Sequence, residues 1–409
     1  MKLGKEERYI RRRLRLARRQ AREFLRCRRF PVNPRKIVFT CIEGTTGYSC
    51  NPKYIAEELL RRGDGYELVW LVDDMGKEFP PGIRKVKNTL RNRAYELSTA
   101  KFWIDNSRKQ LECRKRPGQV YIQTWHAKLG FKPTCLDRGA SFSRIAYLVS
   151  KHDSGMIDYV LSNSDWYDRT LPTGMLYTGE ILRTGSPRCD ILVNGREEAR
   201  DAVRQKHHLS QDTKILMYAP TFRGGSQGTN RTVEKGDHAP DYGALLDAFG
   251  QRFGGEWIVF LRLHPQLTAR HIASGARDDR LIDVSREDDM YELLAGCDAF
   301  LTDYSSAAFD AAVMRLPIFL YADDYMEYEQ ERGKLLWDLR KLPFPLAEND
   351  RELADAIRQF DQAAYEKSLE ELFQATGMTE DGNAAKRVCD AIKEMSDESK
   401  VCAGNPGIS

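Results

Sequence analysis

Ala299-Phe300-Leu301-Thr302-Asp303-Tyr304-Ser305-Ser306-Ala307-Ala308-Phe309-Asp310 is the stretch whose reading decides the fold. Its first four residues read as a short, mostly apolar buried strand. Residues 306–314 read as a helix, with apolar or small side chains at most positions. Between them lies the polar turn Asp303-Tyr304-Ser305-Ser306. A strand that ends in a polar turn and opens a helix suits phosphate. Free backbone N–H groups, the positive helix end and serine hydroxyls converge on one spot. In an open α/β sheet that spot lies at the carboxyl ends of the strands, where ligands bind. Taken alone, Ser305 or Ser306 reads equally well as an N-cap.

Outward from this stretch the chain alternates. Strands are expected at 214–218, 257–261, 281–284 and 318–321, with helices at 197–207, 242–253 and 290–297 between or before them. The N-terminal half repeats the pattern, with strands at 36–41, 67–72, 83–86, 102–105, 120–123, 159–161 and 181–184. Helices at 52–62 and 92–100 lie between several of these. Such alternation means a parallel sheet covered on both faces. The fold class expected is therefore α/β, with two doubly wound Rossmann-type domains facing across a cleft. The bounds expected are 35–195 for the first domain and 196–395 for the second. A basic helix over 1–34 precedes them and a frayed tail over 396–409 follows. Residues 224–240 read as a long polar loop beside the cleft. The loop Glu43-Gly44-Thr45-Thr46-Gly47 joins a strand to a helix but lacks a spaced dinucleotide fingerprint.

The 409 residues are 41% apolar, enough for real cores. No run of eighteen apolar residues exists, and no apolar signal core opens the chain. The nine cysteines are scattered, so neither a zinc site nor a disulfide framework is expected, and a reducing cytosol suits them. Charge is uneven. Residues 1–36 carry fifteen Lys/Arg against three Glu, a local +12, which leaves −8 for the remainder of a chain of net charge +4. Leu14, Ala17, Ala21, Phe24 and Leu25 share one face of this basic helix. It reads as a binder of the anionic inner membrane surface, in preference to a nucleic-acid arm or a merely solvated helix.

Four further stretches sit just past expected strands. Gln123-Thr124-Trp125-His126-Ala127-Lys128-Leu129-Gly130 puts a histidine at a strand end, suited to proton transfer near neutrality. A structural, hydrogen-bonded histidine is the alternative. Arg262-Leu263-His264-Pro265 offers a cationic pair for phosphate oxygens, or a surface arginine with a His-Pro turn. Tyr218-Ala219-Pro220-Thr221-Phe222-Arg223 offers Thr221 and nearby amides, or a proline-ended strand. In Thr184-Gly185-Ser186-Pro187-Arg188-Cys189-Asp190, Arg188 either reaches the cleft or pairs with Asp190 on the surface.

The order Gln-Thr-Trp-His, Gly-Ser-Pro-Arg-Cys-Asp, Tyr-Ala-Pro-Thr-Phe-Arg, Arg-Leu-His-Pro and Thr-Asp-Tyr-Ser-Ser followed by Asp310 resembles the CDP-glycerol glycerophosphotransferase family. These are the primases and polymerases of wall teichoic acids and related capsules. The resemblance runs from about residue 36 to about 341. It implies a GT-B fold, with 35–195 as the acceptor-side domain and 196–395 as the donor-binding domain, and a membrane-associated cytoplasmic enzyme. Glycerol phosphate, or a related polyol phosphate, would pass from a CDP-linked donor to a hydroxyl of a lipid-linked or polymeric acceptor, and CMP would leave. It implies His126 and His264 as the central histidines. It also implies donor contacts from Arg188, Pro220, Thr221, Arg262, Ser305, Ser306 and Asp310. Where the family usually continues Trp-His-Gly-Thr-Pro, this chain has Trp125-His126-Ala127-Lys128-Leu129. Lys128, which would supply a charge for a lost polar contact, and Gly130 are added as candidate donor contacts. His126 is the expected base on the acceptor hydroxyl. His264, Arg262 and the serine turn are expected to stabilise the pyrophosphate and the leaving CMP, and Asp310 to hold a donor hydroxyl. No carboxylate cluster calls for a metal, and no cofactor beyond the donor is expected. A glycosyltransferase using a nucleotide sugar and a non-catalytic membrane-associated homologue are the other readings.

Overall fold

Ile37 and Phe39 alternate with Val38 along the first strand, and the two sets enter different cores. The same alternation recurs. Leu68, Trp70 and Val72 join one core and Val69 and Leu71 the other; Phe102 and Ile104 lie opposite Trp103, and Ile122 opposite Tyr121. Side chains a period of two apart share a face, so strands apolar at every position must be covered on both faces. The computed structural model describes residues 4–221, 239–263, 279–332 and 334–403. It divides into two units: 1–128, 134–190 and 379–409 in the first, and 129–133 with 191–378 in the second.

The first unit is built on a parallel sheet of seven strands in the order β3-β2-β1-β4-β5-β6-β7. These are β1 (Asn33–Thr40), β2 (Glu67–Val72), β3 (Ile83–Lys87), β4 (Ala100–Asp105), β5 (Val120–Gln123), β6 (Tyr159–Ser162) and β7 (Glu180–Arg183). The second carries six parallel strands in the order β10-β9-β8-β11-β12-β13. They are β8 (Lys214–Tyr218), β9 (Trp257–Leu261), β10 (Leu281–Asp283), β11 (Ala299–Thr302), β12 (Ile318–Tyr321) and β13 (Leu346–Ala347). Strand order reverses between β1 and β4 in the first sheet, and between β8 and β11 in the second. Those two reversals are where an open α/β sheet leaves a crevice for ligand.

Two expectations change at the chain ends. The helix Lys5–Cys27 is part of the first unit rather than an arm of its own. Ile10, Ala17, Ala21 and Phe24 are buried, and Phe24 joins the core of Ala94, Leu97 and Trp103. Most of the apolar face assigned to a bilayer therefore faces protein; Leu25 remains exposed and Leu14 half-buried. At the other end, the helix Ala384–Ala403 returns to the first unit, so that unit is not closed at 195 nor the second extended to 395. Val388, Cys389 and Ile392 enter the core beside Ile55 and Leu59. Arg62 pairs with Asp390 at 2.7 Å. Ser396, where a frayed tail was expected to begin, is buried and lies 2.9 Å from the Tyr66 hydroxyl. The helix runs on to Ala403. The expected loop at 224–240 falls almost wholly outside the described residues.

Candidate active site

In the first unit, the reversal between β1 and β4 is stitched by the residues that follow the strands. Asn106 Oδ1 accepts from the Ile42 N–H at 2.7 Å, and Ser107 Oγ from the Glu43 N–H at 2.8 Å. Ile42 and Glu43 hold φ of 43° and 58°, Cys50 holds 59° and Trp125 holds 50°. Non-glycine residues in this region cost on the order of 1–3 kcal/mol each and gather at functional sites. Trp125 is held there by its N–H on Gln123 Oε1 at 3.0 Å and by Asn51 Nδ2 on its carbonyl at 2.7 Å.

His126 follows, half-buried, with Nδ1 2.6 Å from the Asn106 carbonyl oxygen. A carbonyl can only accept, so Nδ1 carries the proton and Nε2 is left as the basic nitrogen. Burial pushes the imidazole below its ordinary pKa, against the opposing pull of the Asn106 carbonyl. The ring is therefore neutral near pH 7, as a general base must be.

Arg188 is the second expected residue that the fold brings here. It is 3% exposed, and Nη1 donates to the His126 carbonyl at 2.7 Å. Its own N–H donates to Asn51 Oδ1 at 3.1 Å. The surface pairing with Asp190 does not form. Asp190 instead accepts from the Ala384 and Ala385 N–H groups at 2.9 and 2.8 Å, at the start of the returning helix. Lys128 also lies beside this histidine. It is buried, and Nζ donates to the Gly185 carbonyl at 2.9 Å and to Ser186 Oγ at 2.8 Å. Its charge ties two loops together where Gly185, at φ 87°, lets Glu380 approach closely. Lys128 is thus a strut beside the histidine.

In the second unit, Pro220 and Thr221 are clamped beside the end of β11. Thr302 Oγ1 donates to the Ala219 carbonyl at 2.7 Å, and the Thr221 N–H meets both Asp303 carboxylate oxygens at 2.9 Å. Asp303 is buried, and the Tyr304 N–H donates to it as well. Ser305 and Ser306 are half-buried. Ser305 Oγ accepts from the Ala307 N–H at 3.3 Å, one residue before the N-cap position. Ser306 makes no side-chain cap bond to the short helix Ala307–Ala311. Asp310, within that helix, is buried and accepts from the Tyr291 hydroxyl at 2.5 Å. Arg262 turns into its own surroundings: Nη1 donates to the Val284 and Glu287 carbonyls at 2.6 and 2.5 Å. In this state the guanidinium braces the 284–288 loop. The Gly130 carbonyl accepts from Trp337 Nε1 at 3.1 Å. His264 lies outside the described residues. Among the described residues, no group of three His, Cys, Asp or Glu is placed to hold a metal ion.

Each sheet thus gathers polar residues at its strand-order reversal, a histidine in the first unit and a serine turn in the second. Residues 23–394 match the profile of CDP-glycerol:poly(glycerophosphate) glycerophosphotransferase. The chain belongs to this family. Among similar glycerophosphotransferase-family proteins is the teichoic acid poly(glycerol phosphate) polymerase of Staphylococcus epidermidis. It is 29% identical over 378 residues, 88% of this chain and 51% of that protein. The teichoic acid glycerol-phosphate transferase of Staphylococcus aureus is 28% identical over 372 residues, 88% of this chain and 93% of that one. The solved structure of the wall teichoic acid polymerase TagF superposes with a TM-score of 0.79 at 27% identity, covering 94% of this chain and 95% of that one. The chain spans about half the length of the first curated polymerases it matches.

In this glycerophosphotransferase-family chain, Asn51, Asn106, Asp303 and Tyr291 hold the site residues; sequence reasoning missed Asn51, Asn106 and Tyr291, and gave Asp303 no role of its own within the polar turn. Asn106 follows β4, so a polar residue past a strand end was a signal available for it. Tyr291 and Asp310 are nineteen positions apart and only the fold joins them. Tyr291→Phe should lower unfolding free energy by about 1–3 kcal/mol, because the buried Asp310 carboxylate loses a hydroxyl donor. A urea melt with an unchanged midpoint would show that this bond contributes nothing.

Proposed function

We propose that this protein transfers glycerol phosphate, or a related polyol phosphate, from a CDP-linked donor to an acceptor hydroxyl, with release of CMP. The single observation that carries the reading is His126. Its Nδ1 is committed to the Asn106 carbonyl and its burial keeps it neutral, so Nε2 can take the acceptor proton. As the hydroxyl oxygen attacks the phosphorus bonded to glycerol, the bond from that phosphorus to the bridging oxygen breaks and CMP departs. Such transfer depends chiefly on positioning and on stabilising charge over the phosphoryl oxygens. The Thr221 and Ser305–Ser306 segment is our candidate for the donor phosphates, since its amides and hydroxyls gather at the β8/β11 reversal. His264 keeps its proposed role at the leaving group. The similarity to teichoic acid polymerases and transferases supports a lipid-linked or polymeric acceptor. The test is a panel of CDP-glycerol, CDP-ribitol and UDP-sugars with a soluble acceptor, following CMP or UDP release. Turnover with a UDP-sugar alone would replace this reading by sugar transfer.

We further propose that the protein works peripherally at the anionic inner face of the cell membrane. Among the described residues, no helix is long and apolar enough to cross a membrane. With Ala17, Ala21 and Phe24 buried, attachment must rest on charge more than on insertion. Arg12, Arg15, Arg19 and Arg22 recur at helical spacing on an exposed face of Lys5–Cys27. Each contributes on the order of 1 kcal/mol at an anionic surface, an attraction screened by salt. Replacing these four by Ala should release the protein from phosphatidylglycerol vesicles, as high salt should for the unaltered chain. Co-sedimentation that is insensitive to both would place the attachment elsewhere.

A further inference from the structure

Gln123 is the last residue of β5, and its side chain is wholly buried. Its amide spans two segments of the chain. On one side, Oε1 accepts from the Trp125 N–H at 3.0 Å. On the other, Nε2 donates to the Ser107 carbonyl at 3.0 Å and to the Tyr121 hydroxyl at 2.8 Å. The partners fix which way the amide faces. An N–H can only donate and a carbonyl can only accept, so a flipped amide would lose both bonds. The Tyr121 hydroxyl in turn donates to Asp153 Oδ1 at 3.1 Å, a buried carboxylate that also accepts from the Lys109 N–H at 2.9 Å.

Both segments lead to His126. The Ser107 segment supplies the Asn106 carbonyl, 2.6 Å from His126 Nδ1. The Trp125 segment carries His126 itself, and Trp125 sits at φ 50°, a costly conformation for a residue other than glycine. The indole lies against the imidazole with ring centroids 4.7 Å apart, and the Arg108 guanidinium lies over the indole at 5.2 Å.

We propose that Gln123 is a positioning residue for transfer, its amide locking the Trp125 and Asn106–Ser107 segments together and so setting the hydrogen bond and direction of the His126 imidazole. This rests on the role proposed above for His126, through which Gln123 acts. Methionine at 123 would match the length of glutamine but neither accept from the Trp125 N–H nor donate to the Ser107 carbonyl. Trp125 would then relax from its strained φ, and the imidazole would turn from the Asn106 carbonyl. A displacement of about 1 Å near the chemistry costs on the order of 10²-fold. The same movement alters what the ring senses. In place, burial lowers its pKa and Arg188 acts in the same direction, while the Asn106 carbonyl, Cys50 and Asp105 oppose them. Burial is the largest of these influences, so a ring released from this setting titrates higher, toward the ordinary 6.5.

The test compares the full chain with Gln123→Met and Tyr121→Phe, each checked for folding by circular dichroism. Gln123→Met should lower kcat for CMP release by roughly tenfold to a hundredfold, with donor KM within about twofold of the unaltered chain. Tyr121→Phe removes one of the two acceptors of Nε2 and should lower kcat less. The His126 titration is followed separately by NMR, with the resonance assigned from its loss in His126→Ala. Its midpoint should lie below 6.5 in the unaltered chain and higher in Gln123→Met, and the acidic limb of the rate profile should move with it. A merely structural role would lower the yield of folded protein and leave both midpoints in place. That result, or an unchanged kcat, would overturn the proposal. Should Gln123→Met fail to fold, Tyr121→Phe decides: a lower kcat with a raised midpoint supports the proposal, and neither change overturns it. Absence of CMP release from the unaltered chain would count against the proposed transfer, while the NMR titration would still decide whether Gln123 sets the imidazole.

Discussion

His126→Ala is expected to lower CMP release by at least ~10²-fold while the protein still folds. General base assistance is worth roughly 10²–10⁴-fold, and the variant loses it whole. The ring is half-buried at the end of β5, outside the two cores of the first unit, so its removal opens no core cavity. The pH profile adds an independent reading. Burial lowers the His126 pKa below 6.5. The base is active when unprotonated, so the rate should rise with pH along a limb centred below 6.5 and then level. In His126→Ala that limb should vanish from whatever activity is left. A variant that keeps more than about a tenth of the rate, or the same limb, would remove His126 from the chemistry, given the ~10²-fold minimum such a role implies.

Phe24→Ala carries the largest expected effect on stability. Phe24 is 1% exposed and packs with Ala94, Leu97 and Trp103 in the core of the first unit. Truncating a buried phenylalanine costs about 3–5 kcal/mol, through lost transfer energy and the cavity left behind. Leu25, its neighbour in sequence, is 49% exposed, and Leu25→Ala should change stability by no more than about 0.5 kcal/mol. Guanidinium denaturation of the two variants reads this contrast. It also decides what the basic helix is. A free membrane arm would tolerate both changes equally, whereas a helix built into the domain would not. For the same reason, deleting residues 2–30 should destabilise the first unit as well as weaken its attachment to vesicles.

The periodicities of the chain were enough to place most strands, because fully buried parallel strands are apolar at every position. Residues 67–72, 120–123, 214–218, 257–261, 299–302 and 318–321 are strands as read, and the order of polar turns after them pointed to the family. Periodicity also showed that Ala17, Ala21 and Phe24 share a helical face. What that face meets was not in the sequence, since an apolar stripe is satisfied equally by lipid or by protein. Only the tertiary structure put Phe24 against Trp103, and returned Val388 and Ile392 to a core begun some 330 residues earlier at Ile55 and Leu59. The same limit applies to charge. Arg188, Lys128 and Arg262 each read as a cation for phosphate. The fold gave Arg188 the His126 carbonyl, Lys128 the Gly185 carbonyl and Arg262 the carbonyls of its own loop. A buried cation must satisfy its donors on whatever acceptors lie within about 3 Å, and those acceptors are set by chain crossings far apart in sequence.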